Sequence, residues 1–81
     1  MPDTTLARLR WRCRRGMKEL DLLLGDWLER RWSTADAGQR QSFQWLLEQP
    51  DPEIAGWLIG GSRPRDARHA ALVDDIVRRF D

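Results

Sequence analysis

The sequence predicts an all-α fold, a compact five-helix bundle forming a single domain over residues 1–81. Three observations carry that prediction. Apolar residues recur three and four positions apart in successive short segments, the spacing that lines one face of a helix. Strand formers are sparse: tyrosine is absent, and valine and isoleucine are few, so β-propensity is low. A hydrophobic content of 41% and a charged content of 33% suit a folded chain rather than a disordered one. At 81 residues the chain is near the lower limit for a core without staples.

The first helix is expected over Thr5 to Arg15. Leu6, Leu9 and Cys13 share one side of its wheel. Thr4 or Thr5 suits the N-cap, and Gly16 suits the left-handed position that ends a helix. The second helix is expected over Lys18 to Trp32, with Leu20, Leu23, Leu24, Trp27 and Leu28 as its stripe. Leu22 lies off that stripe, which makes this helix the central, most buried one. Glu19 and Asp21 sit in its first turn, where acids favour the positive end of the helix dipole.

The third helix begins near Asp36, because Asp36 with Gln39 three residues later resembles a capping box. Phe43, Leu46 and Leu47 face the core, and Pro50 stops the helix. In the fourth helix Asp51 caps, Pro52 takes the first helical position, Ile54, Trp57 and Leu58 pack, and Gly60-Gly61 ends it. Pro64 and Asp66 precede the fifth helix, where Leu72, Val73, Ile76 and Phe80 recur at helical spacing. Connections are short, so neighbouring helices pack roughly antiparallel.

Composition excludes several classes of function. One cysteine allows no internal disulfide, and one histidine with one cysteine furnishes no zinc site. That usage fits a reducing compartment, and the expected location is the cytoplasm. No apolar stretch approaches the ~20 residues needed to span a bilayer. Arg14-Arg15 before Leu20–Leu24 could suggest an export signal, but Glu19, Asp21 and Asp26 interrupt the apolar run. An arginine-rich transit peptide is excluded because the arginines run straight into the helical pattern. There is no P-loop, no dinucleotide fingerprint and no paired-carboxylate signature. The chain therefore reads as a non-enzyme with no catalytic residue and no stably bound cofactor or metal.

Charge is uneven. The net charge is only +1, yet residues 1–18 hold Arg8, Arg10, Arg12, Arg14, Arg15 and Lys18 against Asp3 alone. Such asymmetry implies a basic patch for an acidic partner. On the wheel of the first helix, Arg8, Trp11 and Arg15 fall opposite the apolar side. Two readings fit this stripe. It is an interface, since Trp and Arg are the residues most enriched at hot spots. Or Trp11 covers a second packed helix, with arginines snorkelling over it.

Arg15-Gly16-x-x-Glu19 also has two readings. One is an i,i+4 salt bridge on a solvated helix, although the base-first order is the poorer one and a glycine intervenes. The other is that Gly16 lets another backbone approach between a fixed guanidinium and a fixed carboxylate. Of the five tryptophans, Trp27 and Trp57 lie on apolar faces, and Trp32 and Trp45 lie off the simplest stripes. Core packing accounts for most of them, against stacking of a flavin or a base. Cys13 reads as a buried, inert thiol. His69 is a lone histidine for which spacing suggests no Ser or Cys partner.

The run Arg14-Arg15-Gly16-Met17-x-Glu19-Leu20-Asp21 resembles the signature of the SdhE family, the small bacterial FAD assembly factors of succinate dehydrogenase, which have mitochondrial relatives and also go under an antitoxin name. The likeness extends over nearly the whole chain. Trp11 and Cys13 fit the stretch before the motif, and Leu22-Leu23-Leu24-Gly25 follows it. Phe43-x-x-Leu46-Leu47-Glu48 and Asp51-Pro52-x-x-x-x-Trp57-Leu58 fit the later helices. Trp27 and Trp32 stand where other aromatics are usual, and Ala35-Asp36 replaces the common Leu-Ser entry. Those departures touch packing and capping, not the motif.

The resemblance implies a five-helix bundle that binds the flavoprotein subunit of succinate dehydrogenase, and also that of fumarate reductase. It implies that the bundle promotes covalent attachment of FAD to a histidine of that subunit. FAD is then the partner's cofactor. Arg15, Gly16 and Glu19 would make the critical contact, with Arg8, Trp11, Arg14, Met17 and Lys18 around it. The rival from another class is a small basic-patch nucleic-acid-binding protein or antitoxin-like regulator. Against nucleic acid, Glu19 and Asp21 adjoin the patch, the isoelectric point is about 8.0, and no DNA-binding motif occurs.

Overall fold

A computed structural model describes residues 4–79. Its elements are α1 (Thr4–Arg12), α2 (Lys18–Arg31), a 3-10 turn (Trp32–Thr34), α3 (Ala37–Leu47), α4 (Asp51–Leu58) and α5 (Ala67–Arg79). No strand forms among the described residues. The all-α bundle expected from the apolar spacing is therefore present.

α2 touches α1, α4, α5 and the 3-10 turn, while α3 lies along α5. Leu20, Leu24, Trp27, Phe43, Leu46, Ile54, Val73 and Ile76 are each no more than 2% exposed. Burying side chains of this size stabilises by about 1.5–3 kcal/mol each. The stripe predicted for α2 is the one that faces inward, with Leu23 at its margin. Leu22 departs from expectation: it is 51% exposed, so α2 is central without being enclosed on every side. Trp27 stacks on Phe43 with centroids 4.6 Å apart, and its Nε1 donates to Asp75 at 2.8 Å. Leu72, Val73 and Ile76 pack as expected; Phe80 lies outside the described residues.

The capping box of α3 forms. Gln39 N–H donates to Asp36 Oδ1 at 2.8 Å, and Asp36 N–H donates to Gln39 Oε1 at 3.1 Å. Three end predictions need correcting. Thr4 and Thr5 both lie within α1, so neither precedes it. It also stops at Arg12 rather than Arg15, where Arg14 N–H turns tightly onto the Trp11 carbonyl at 3.1 Å. Finally, Asp51 is not the cap of α4. The helix includes it, and the N-cap is Pro50 with no side-chain bond. The Pro50 carbonyl already accepts the N–H groups of Glu53 and Ile54 at 3.0 and 3.1 Å, which leaves the Asp51 carboxylate free for another use.

His69 has a partner that spacing did not suggest. Its Nδ1 lies 2.9 Å from Ser42 Oγ, and the direction of that bond follows the tautomer. The two residues are 27 positions apart and meet because α5 lies on α3. Ser42 is only 3% exposed, which makes the pair a packing contact rather than an accessible nucleophile. The His69 ring stacks on Trp45 at 3.9 Å, and Trp45 stacks on Trp57 at 5.3 Å. These rings fill the outer layer of the core, as Trp27 and Trp32 fill its centre.

Candidate functional site

The corner between α1 and α2, residues 13–17, is held from behind by Arg15. Its Nε donates to Asp51 Oδ1 at 2.7 Å. Nη1 donates to the carbonyls of Leu47 and Arg12 at 2.8 and 3.1 Å, and Nη2 donates to the Gln49 carbonyl at 2.9 Å. Arg12 and Leu47 end α1 and α3. One guanidinium therefore serves carbonyls that helix ends leave without intrahelical partners, and a cation there suits the dipoles. The Arg15 N–H donates to Asp21 Oδ1 at 2.7 Å. Lysine could not match this fork of fixed donors.

That geometry removes the salt-bridge reading of the motif. Arg15 forms no ion pair with Glu19; its carboxylate partner is Asp51. Nor does Arg15 share the outward stripe of Arg8 and Trp11, because the chain has left the helix before it. Its side chain is only 17% exposed. Gly16 has φ +84°, the left-handed region that L side chains avoid. It is exposed, and an added Cβ would meet nothing within 4 Å. The backbone therefore requires the glycine, and the space outside it is open.

Around this corner the remaining predicted residues are on the surface. Trp11 is 73% exposed, so no second helix packs over it. The Arg14 guanidinium lies over its ring, 5.6 Å from the centroid. Met17 is 40% exposed, and Arg8, Lys18 and Glu19 are exposed. Among the described residues, Arg8, Lys18 and Glu19 have no hydrogen-bonding or ionic side-chain partner. Cys13 lies beneath, 3% exposed, and burial pushes its thiol up to about 12 despite the opposing pull of Arg15. It is the buried thiol that its apolar position predicted.

Sequence reasoning missed Asp21 and Asp51, the two carboxylates that fix the corner. Asp51 is 36 residues from Arg15, and no local periodicity encodes such a pairing. It also missed Arg10, whose Nε donates to Glu29 Oε1 at 2.7 Å and ties α1 to α2. Among the described residues no three His, Cys, Asp or Glu side chains gather as a metal site. No helix among them is long and apolar enough to cross a membrane.

An exposed tryptophan and methionine, charges of both signs without a partner among the described residues, and a left-handed glycine lie together at this corner of a small helical bundle. The chain belongs to the Sdh5 family, described as flavinators of succinate dehydrogenase, whose pattern matches residues 7–80. It is 39% identical over 71 residues to the FAD assembly factor SdhE of Vibrio parahaemolyticus, covering 88% of this chain and 83% of that one. To the SdhE of Coxiella burnetii it is 36% identical over 69 residues, covering 85% and 84%. To that of Yersinia pseudotuberculosis it is 36% identical over 73 residues, covering 90% and 83%.

Proposed function

We propose that this chain docks through the α1–α2 corner onto the flavoprotein subunit of succinate dehydrogenase in the cytoplasm and promotes covalent attachment of FAD to it. The flavoprotein of fumarate reductase is a second client. The observation that carries this reading is the exposed set Trp11, Met17 and Glu19 around left-handed Gly16, in a chain that matches the flavinator family over residues 7–80.

The chain acts as a helper and not as an enzyme. The flavoprotein forms the bond to its own histidine, and docking favours the domain arrangement in which that happens, a shift of population. FAD remains with the partner. Glu19 meets a cation of the flavoprotein, Gly16 admits its backbone, and Trp11 and Met17 supply apolar contact. Arg8, Arg14 and Lys18 meet acids at the rim. Arg15 works from behind by fixing the corner. Nucleic acid fits less well, because Arg10 and Arg15 are already held by Glu29 and Asp51 and Glu19 stands within the patch.

The test is capture with tagged protein from lysate, followed by in-gel flavin fluorescence of the captured band. A fluorescent flavoprotein-sized band is expected. In a strain lacking the native protein, failure of this chain to restore covalent flavin would reject the reading.

A further inference from the structure

The outward face of α2 contains a residue that the isolated chain does not explain. Gly25 sits within this helix, where glycine is less favourable than alanine. Its φ lies outside the left-handed region, and a Cβ added to it would meet nothing within 4 Å. Neither backbone strain nor internal packing calls for glycine. One turn earlier, Leu22 is 51% exposed. Both residues line an open groove of about 810 Å³ between α1 and α2, with buried Cys13 and Leu28 along it and the Arg10–Glu29 bridge across it.

The charges along this groove are not balanced. Its acids are held: Asp21 by the Arg15 N–H at 2.7 Å, Asp26 by Arg30 at 2.8 Å and Glu29 by Arg10 at 2.7 Å. Two of its cations are not. Among the described residues, the Trp11 ring is the side-chain partner of Arg14, and Lys18 has none. The groove therefore lacks an apolar filling over Leu22, a close backbone over Gly25 and a carboxylate beside Arg14 and Lys18.

We propose that the groove takes an apolar, acid-bearing segment of the flavoprotein whose backbone crosses α2 at Gly25. This rests on the function proposed above and extends the docking surface from the corner along α2. A glycine on an open helix face allows that approach, and any side chain there would stand in its way.

The test measures thermal unfolding and affinity for the purified flavoprotein with Gly25→Ala, Gly25→Gln, Leu22→Ser, Lys18→Gln, Arg14→Gln and Glu19→Ala. Gly25→Ala and Gly25→Gln should raise the unfolding temperature, because both residues are better helix formers. Gly25→Gln should nonetheless weaken binding by about tenfold or more. Opposite movement of stability and affinity cannot come from misfolding. Leu22→Ser and Lys18→Gln should weaken binding with unfolding unchanged. If Gly25→Gln binds like wild type while Glu19→Ala does not, the corner docks and the groove proposal fails alone. A fall in unfolding temperature for Gly25→Ala also overturns it, since the fold would then need the glycine. If Lys18→Gln and Arg14→Gln leave affinity unchanged, the segment is not acidic and the proposal is wrong. Absence of wild-type binding would overturn both the groove and the function on which it rests.

Discussion

Replacing Arg15 with alanine should destabilise the fold before it affects any partner. The guanidinium donates to Asp51, Leu47, Arg12 and Gln49, and its side chain is only 17% exposed. Hydrogen bonds involving a charged group contribute about 1.5–3 kcal/mol when well buried. Breaking a fully buried ion pair costs about 3–5 kcal/mol, but the Asp51 side chain is 38% exposed and water can reach it once Arg15 is gone. The expected loss is therefore about 2–3 kcal/mol. For a domain of this size that lowers the unfolding temperature by about 10–20 °C. Arg15→Lys should recover only part of it, because an ammonium cannot serve four acceptors in one plane. In a double-mutant cycle, Arg15→Ala and Asp51→Ala should be less than additive by about 0.5–2 kcal/mol. Thermal unfolding by circular dichroism reads all of these. An Arg15→Ala protein that unfolds within about 2 °C of wild type yet fails to flavinylate would refute the reasoning, because Arg15 would then contact the partner directly.

Two further predictions concern residues beneath and outside the corner. Cys13 should resist alkylation at pH 8, since burial raises its thiol from the ordinary 9.0 to about 12; mild denaturant should speed iodoacetamide labelling on the order of 100-fold. Because the folded value lies above the unfolded one, the stability associated with the buried thiol is complete below pH 9.0 and is lost as pH rises towards about 12, which an alkaline unfolding titration against Cys13→Ala can check. Trp11→Ala should leave unfolding within about 0.5 kcal/mol of wild type, as expected of an exposed side chain. The same change should weaken flavoprotein binding by about 2 kcal/mol, roughly 30-fold, if Trp11 is a hot spot.

Most of the fold could be read from local chemistry, and most of what holds the site could not. The Asp36–Gln39 box, the left-handed Gly16 and the stripe of Leu20, Leu24, Trp27 and Leu28 depend on residues within a turn or two of one another. Sequence spacing reports such patterns directly. The exposed residues of the corner were also legible, because Trp11 lies opposite the apolar side of its wheel and Glu19 lies off the apolar stripe of α2. Arg15 misled. Its spacing placed it on the outer face of the first helix, but Asp21 and Asp51 draw its backbone and its side chain inward. The same contact explains why α1 ends early and why Asp51 is not a cap. Leu22 misled for the opposite reason: an apolar residue off the stripe suggested the most buried helix, whereas it faces an open groove. His69 and Ser42 meet only through the packing of α5 on α3. In each case the deciding contact joins residues whose proximity is a product of the fold.

The central claim is that the α1–α2 corner is the working surface, and Glu19→Ala tests it most directly. Glu19 is exposed and has no side-chain partner among the described residues, so its removal should change stability by less than about 0.5 kcal/mol. Truncating one member of an interfacial charge pair costs about 2–5 kcal/mol, roughly 30-fold or more in affinity. The measurement is covalent flavin on the succinate dehydrogenase flavoprotein in a strain lacking the native protein, with unfolding of the purified variant recorded beside it. Wild-type unfolding with strongly reduced flavin attachment is the predicted result. Wild-type flavin attachment by a folded Glu19→Ala protein would contradict it.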